Sequence, residues 1–584
     1  MQPKTTRRAF IVDGAGTVAA TSVAGRLLVR RRAWWRLVAH QPQASQLEAL
    51  TVLGRASLRM PGSLPHPHLA AGTDTIPEIE HVVVLMLENH SHDNLLGMLG
   101  RGPGQRPRGD GFTLGADGLP TATNPLPNGQ RQRAFRMPTT CQLPGTPSQE
   151  WTASHNAYDN GRNDGFVRTV ISPVTSQIVG PVAMGYWTGD DLPLTYALAQ
   201  TFPIGDRWFC SCLAQTHPQR RYLIAGTSSG MTGDVGGNPV GDAGLGVPAN
   251  GTIFNRLSLA GISFADYATN NTTGATMNLY PGNDSAYVET NIKPIDQFFS
   301  DAKAGTLPSF SLIDPDFGSQ SQENPQNLAV GEGFLGQVID ALRTSPAWRK
   351  TLFILTYDEH GGYYDHVPPP AALAPDSIPP QVLPGESTYD GFARYGFRVP
   401  SMLIGPYVKR NYVSHVVYDH TSILAFLERK WNLQSMTMRD ANANDLLDFI
   451  DLNALRSGQP TFPELPSLPA AGDTPARLAC SKTGPGQIPP PLPAPSVVLL
   501  SVRVNGRRRC VVVELQTNYE TLHQLELELV HGRQTVARHR LARLGPHPHT
   551  VVLRTHGKLP PRGRYELIVH QGHRTVARQS VVVR

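Results

Sequence analysis

Two aliphatic runs, residues 79–87 (IEHVVVLML) and 352–357 (LFILTY), are almost unbroken by polar residues. A strand with one wet face alternates, whereas a strand covered on both faces does not, so each run predicts a buried strand of a parallel sheet. Residues 400–404 (PSMLI) predict a third such strand. Helical spacing in 334–343 (FLGQVIDALR) and 421–431 (TSILAFLERKW) places amphipathic helices among them. Strands alternating with helices specify an α/β body around a mainly parallel central sheet. The chain has 584 residues, more than one ordinary domain holds, so accessory modules are expected.

Shifts in composition divide the chain. Residues 1–40 open on a twin-arginine pattern, Thr6-Arg7-Arg8-Ala9-Phe10-Ile11, followed by a weakly apolar run containing Asp13 and Arg26. Such a run is a poor membrane span and fits a twin-arginine export signal, which predicts a periplasmic, cell-envelope or extracellular protein. Residues 41–76 are polar and proline-punctuated, a connector; 77–457 form the α/β body; 458–495 are a proline-rich linker. Residues 496–584 carry seven short strand-like segments at close spacing, which predicts an immunoglobulin-like β-sandwich.

Charge follows the same divisions. The N-terminal 40 residues carry +7 and residues 496–584 carry +10 of a total of +6, so the body between them carries −11. A body this acidic gives no support to nucleic-acid binding. The basic module, with eight of the chain's 20 histidines, suits an anionic membrane or cell-wall surface, or serves as a spacer. Five cysteines exclude a disulfide scaffold; Cys210 and Cys212 stand too close for an easy mutual bridge, and all five read as packing residues or pairs not assignable from spacing. The oligomeric state is not legible.

The chemistry sits where the strands end. The first runs directly into Glu88-Asn89-His90-Ser91-His92-Asp93, the second into Asp358-Glu359-His360-Gly361-Gly362, with Asp365 and His366 just beyond. Reactive groups of open α/β sheets gather at the carboxyl ends of strands, and two tips rich in hard oxygen ligands suit a divalent cation. Taken singly, either tip also reads as a capping or loop carboxylate. A nucleophile is needed, and Thr216 in LAQTHPQR is the candidate, since a bound cation activates an aliphatic hydroxyl. On composition alone Thr216 is equally a helix N-cap ahead of His217 and Pro218.

The ordered set ENHSHDN, SHNAYDNGRNDGF, DRWFCSCLAQTHPQR, DPDFG and YDEHGGYYDHVPPP resembles the bacterial phospholipase C and acid phosphatase (phosphoesterase) family over roughly residues 77–450. The resemblance implies an alkaline-phosphatase-like fold and hydrolysis of phosphate esters. It also implies that Glu88, Asn89, Thr216, Asp358 and Glu359 bind a divalent metal ion, Ca²⁺, Mn²⁺, Mg²⁺ or Zn²⁺, with Thr216 both ligand and attacking group. Departures from the family pattern stand at Ala214-Gln215 before the nucleophile, at Gln149, and at Asn324-Pro325, where relatives often carry histidine at the latter two. The histidines left as candidates for the general acid are His155 and His360, with His217 third. The expected activity is a phospholipase C acting on a phospholipid or small phosphate ester through a phosphothreonine. An acid phosphatase is the alternative within the family, and a surface-binding protein with a decayed site the alternative outside it.

Overall fold

The structure is a computed structural model that describes residues 43–55, 57–142, 147–169, 180–234, 248–269, 275–280, 290–382, 386, 390–469, 487–505, 510–555 and 563–583. The twin-arginine segment lies outside the described residues, as does Cys480.

Eight strands form the central sheet: β1 (His81–Leu87), β2 (Ile204–Gly205), β3 (Phe264–Ala268), β4 (Ile292–Pro294), β5 (Phe310–Asp314), β6 (Thr351–Tyr357), β7 (Ser401–Ile404) and β8 (Val413–Ser414). Their order is β8-β2-β7-β6-β1-β5-β3-β4. β1 lies between β6 and β5 and is parallel to both. Residues 82–87 of β1 and all of β6 are buried, as strands covered on both faces must be. The expected third strand forms as β7 but runs antiparallel to β6. A right-handed crossover needs a helix-length return, and among the described residues between Tyr357 and Ser401 there is no helix, so the chain comes back antiparallel.

Register places the two acidic tips together. His81 pairs with Thr351 and the ladder holds in step to Leu87 with Tyr357, so Glu88 and Asp358 leave the sheet side by side. Among the helices are α1 (Gln43–Val52), α2 (Trp151–Tyr158), α3 (Thr216–Ala225), α4 (Leu328–Thr344) and α5 (Thr421–Lys430). Within the stretch expected as a connector, α1 and the turn after it bury Ala49, Leu50 and Leu53 against Ala371 and Leu373. Asp74 there receives the buried Lys430 ammonium at 2.8 Å.

The C-terminal residues form two antiparallel sheets, of three and four strands. The seven strands are β9 (Val497–Asn505), β10 (Cys510–Thr517), β11 (Leu522–His531), β12 (Gln534–Leu544), β13 (His549–Arg554), β14 (Gly563–Gln571) and β15 (Arg574–Val583). Val511, Val513, Leu515, Leu527, Leu529, Val551 and Leu553 interleave in a core of their own, separate from the body's. The module touches the body through the Arg131–Glu520 ion pair at 2.9 Å. The end of the proline-rich segment joins at the same point, Leu492 exchanging backbone hydrogen bonds with Arg131. Of the cysteines, Cys210, Cys212 and Cys510 are free and buried, and Cys141 is disulfide-bonded.

Candidate functional site

The tips of β1 and β6 meet in one buried cluster. Asn89 adopts a left-handed backbone, φ 70°, and its N–H donates to Asp358 Oδ1 at 3.2 Å. The second loop turns at Gly361, φ 63°, where an added Cβ would lie 1.9 Å from the Asn89 carbonyl, so only glycine lets the two loops touch. Asp358 Oδ1 also accepts from the Glu359 N–H at 2.7 Å, and Glu359 Oε2 accepts from the Gly361 N–H at 2.7 Å. The backbone thus aims both carboxylates at Asn89.

Thr216 arrives on α3. Gln215 is the N-cap, so Thr216 is the first helical residue rather than the cap, with Pro218 inside the first turn where its missing N–H costs nothing. Its hydroxyl donates to Asn89 Oδ1 at 3.3 Å and the residue keeps 8% exposure, enough for a small group to reach it. The structure therefore brings together Glu88, Asn89, Thr216, Asp358 and Glu359. Sequence reasoning missed Arg220, one turn along α3 on the same face as Thr216; that i, i+4 spacing was its signal. Its buried guanidinium donates to Asp314 Oδ1 at 2.9 Å, the Met86 carbonyl at 3.0 Å, Thr276 Oγ1 at 3.2 Å and Glu88 Oε1 at 3.3 Å.

The cluster is short of positive charge. Burial, then the neighbouring Asp358 carboxylate, push Glu88 and Glu359 well above the usual carboxylate range. Asp358 is raised by burial to about 6, with Arg220 opposing. Asp358 Oδ2 is buried with no hydrogen-bond partner among the described residues. Besides the Thr216 hydroxyl, the Asn89 amide oxygen faces two carboxylate oxygens, Glu359 Oε1 at 2.7 Å and Asp358 Oδ1 at 3.0 Å. Without a cation that amide gains two hydrogen bonds by flipping; with one, the converging oxygens become ligands. Carboxylate, amide and hydroxyl oxygens form the hard donor set that a divalent cation takes, so the residues fit a metal ion.

A second group lies close by. Asp93, Asp365 and His366 hold oxygen and nitrogen atoms within 4.8 Å of one another, a spacing that would suit a metal. Its charge is already answered. Arg398, fully buried, reaches Asp365 Oδ1 at 2.8 Å and Asp93 Oδ1 at 3.1 Å, while His366 bonds Asp93 Oδ2 at 2.7 Å and Asp110 Oδ1 at 3.2 Å. A metal there would face a guanidinium, so we read this group as a clamp between the two loops.

The expected histidines do not converge on Thr216. His155 on α2 donates from Nδ1 to the Trp151 carbonyl at 2.7 Å and packs its ring on that indole, and burial lowers it to about 4. His360 packs between Phe166 and Phe397 with Nδ1 3.1 Å from Glu359 Oε2, and burial lowers it to about 3. Burial disfavours the charged form of both rings. Asn324 is taken up by Tyr363, donating to its Oη at 2.9 Å. His217 borders a cavity of about 410 Å³ that opens over Thr216, Glu88 and Arg220 and is also lined by Asp234, Phe317 and Glu323. Burial and then Asp358 raise Glu323 to about 7. Neither Asp234 nor Glu323 carried a sequence signal, because each comes from an irregular loop.

The family model described as "Phosphoesterase family" matches residues 79–434. The chain is 30% identical over 434 residues to a non-specific phospholipase C3 of Arabidopsis thaliana, covering 68% of this chain and 78% of that one. It is 30% identical over 450 residues to a non-hemolytic phospholipase C of Burkholderia pseudomallei, covering 69% and 61%. It is 29% identical over 493 residues to a hemolytic phospholipase C of Pseudomonas aeruginosa, covering 75% and 64%. A solved Vibrio parahaemolyticus protein of the alkaline phosphatase superfamily is 9% identical, with a TM-score of 0.31 and coverage of 94% and 92%.

Proposed function

Since the chain belongs to the phosphoesterase family and is a hydrolase of phosphoric ester bonds of phospholipase C type, we propose that it is an exported, metal-dependent enzyme that cleaves phospholipids through a phosphothreonine at Thr216. The observation that carries this reading is the Thr216 hydroxyl at the start of α3, bordering the cavity and hydrogen-bonded to Asn89 within a ring of buried carboxylates.

Glu88, Asn89, Asp358, Glu359 and Thr216 would hold the ion. A divalent ion in such a site supplies Lewis acidity that lowers the pKa of a bound hydroxyl and offsets charge on a phosphate. The chain's residues do the rest. The N-terminal end of α3 presents its positive dipole to an entering phosphate diester. Thr216 Oγ gives up its proton to solvent and attacks phosphorus, the bond to the diacylglycerol oxygen breaks, and that oxygen takes a proton from His217 at the cavity edge. Water then attacks the phosphothreonine, its proton passing to His217, and the Thr216 oxygen leaves and takes a proton from solvent, which releases the phosphorylated headgroup and restores the hydroxyl. Export through the twin-arginine segment brings the enzyme to lipid surfaces, and the basic module of residues 496–584 adds attraction to anionic ones.

Turnover of phosphatidyl diester in vesicles, compared with that of a simple phosphomonoester, tests the substrate. The diester should dominate, and a dominant monoesterase makes the protein an acid phosphatase instead. Deleting residues 496–584 should leave a small soluble diester turned over as before while activity on anionic vesicles falls and loses its salt dependence. Equal loss on both substrates would make the module a support for the body.

A further inference from the structure

Arg220 is the buried cation nearest the carboxylate ring, and its contacts span four separate parts of the fold. Its own helix starts at Thr216. Its Nη2 atom donates to the Met86 carbonyl at the end of β1 and to Glu88 Oε1. Its Nη1 atom donates to Asp314 Oδ1 at the end of β5 and to Thr276 Oγ1. Its Nε atom lies 3.8 Å from Asp358 Oδ2, beyond β6. The Phe317 ring lies under the guanidinium, 4.7 Å from its carbon. A planar fork locked on both edges and stacked on one face has one orientation, which a flexible ammonium does not.

We infer that Arg220 is a positioning residue: it holds Glu88 by Oε1 and fixes the distance from the nucleophile's helix to the tips of β1, β5 and β6. Asp314 is part of the device, because it anchors the edge of the guanidinium away from Glu88 and itself accepts from the Thr276 N–H at 2.6 Å and hydroxyl at 2.8 Å. Any tilt of the guanidinium moves Glu88 against Thr216, and displacements of this size at a supporting contact typically cost about 10–100-fold in metal affinity or turnover. The inference rests on the proposed metal site.

The test uses the full chain stripped with chelator, with Mn²⁺ titrated by calorimetry and a small soluble phosphodiester as substrate. Arg220→Lys keeps the charge without the fork, and Asp314→Asn keeps Arg220 while loosening its anchor. Both should fold, by circular dichroism, bind Mn²⁺ about tenfold more weakly, and lose about 10–100-fold in kcat with KM little changed; Arg220→Lys should be the more affected. Folded variants with Mn²⁺ affinity and kcat both within about threefold of wild type overturn the inference. A rise in KM alone also overturns it, since that marks uniform loss of substrate binding. If the wild type binds no Mn²⁺ and shows no metal-dependent turnover, the metal-site reading has failed first, and the role given to Arg220 falls with it.

Discussion

Residues 88–89 and 358–359 make one buried ionic cluster; Asp93, Asp365 and His366, a little further along the same two loops, help make another. Both contain fully buried carboxylates, and both recruit one buried arginine from a distant segment, Arg220 or Arg398. In the clamp, two buried carboxylates meet Arg398 and a histidine that Asp93 and Asp110 hold in its charged form, so charge closes within the protein. Around Thr216, four buried carboxylates, Glu88, Asp314, Asp358 and Glu359, share one arginine, and Asp358 Oδ2 has no hydrogen-bond partner among the described residues. By inter-atomic spacing alone the clamp would be the better metal site, yet it already holds its cation. Balance of charge, rather than closeness of ligand atoms, separates a clamp from a site that needs a cation.

The sharpest way to test that contrast is to remove the hydroxyl proposed as nucleophile. Thr216→Val should lower kcat on a phosphodiester on the order of 10⁴-fold or more while leaving the fold unchanged. Activity within about tenfold of wild type, ~1.4 kcal/mol in barrier, would remove Thr216 from that role. Next in size is the clamp. Arg398→Met strands Asp93 and Asp365 in the interior and should cost about 3–5 kcal/mol of stability, read from the denaturant midpoint. Added divalent ion should not restore it; full rescue by Mn²⁺ would make the clamp a metal site and erase the comparison.

The third test addresses the open cluster directly. With ion present at about 100 times its dissociation constant, the folded wild type gains about 2.7 kcal/mol, and chelator should lower its melting temperature accordingly. Glu88→Ala should show almost no chelator shift, and a shift equal to wild type would exclude Glu88 as a ligand.

The smallest effect is in pH. Burial by itself would lower His366, but Asp93 and Asp110 outweigh it and raise the folded-state pKa to about 10. Stability from this group is therefore fully present below the unfolded value near 6.5 and is lost as pH rises through about 10. The melting temperature of wild type should fall more between pH 7 and 10 than that of His366→Asn, and parallel curves would deny His366 its charge in the clamp.

Much of this was legible in the chain. Strands β1 and β6 announce themselves because a strand covered on both faces has no use for polar residues, and the acids come at once because the sheet ends there. The seven C-terminal strands were readable for the opposite reason: in β10, inward Val511, Val513 and Leu515 alternate with outward neighbours. The five positions proposed as ligands and nucleophile came from motifs that the fold brings together. A histidine next to a functional motif gives no sign of where its ring points: His155 bonds its own helix and His360 turns into aromatic packing.

The sequence by itself determined which segments are buried and which residue types stand at their ends, since both are local consequences of hydrophobic patterning. Only the tertiary structure decided how charge is shared. Arg398 reaches Asp93 across 305 positions and Arg220 reaches Glu88 across 132. The direction of β7, and the fact that Arg398 rather than a metal answers Asp93 and Asp365, belong to the same class. Coulomb energy and hydrogen bonding depend on distance in space and on desolvation, neither of which has a period along the chain.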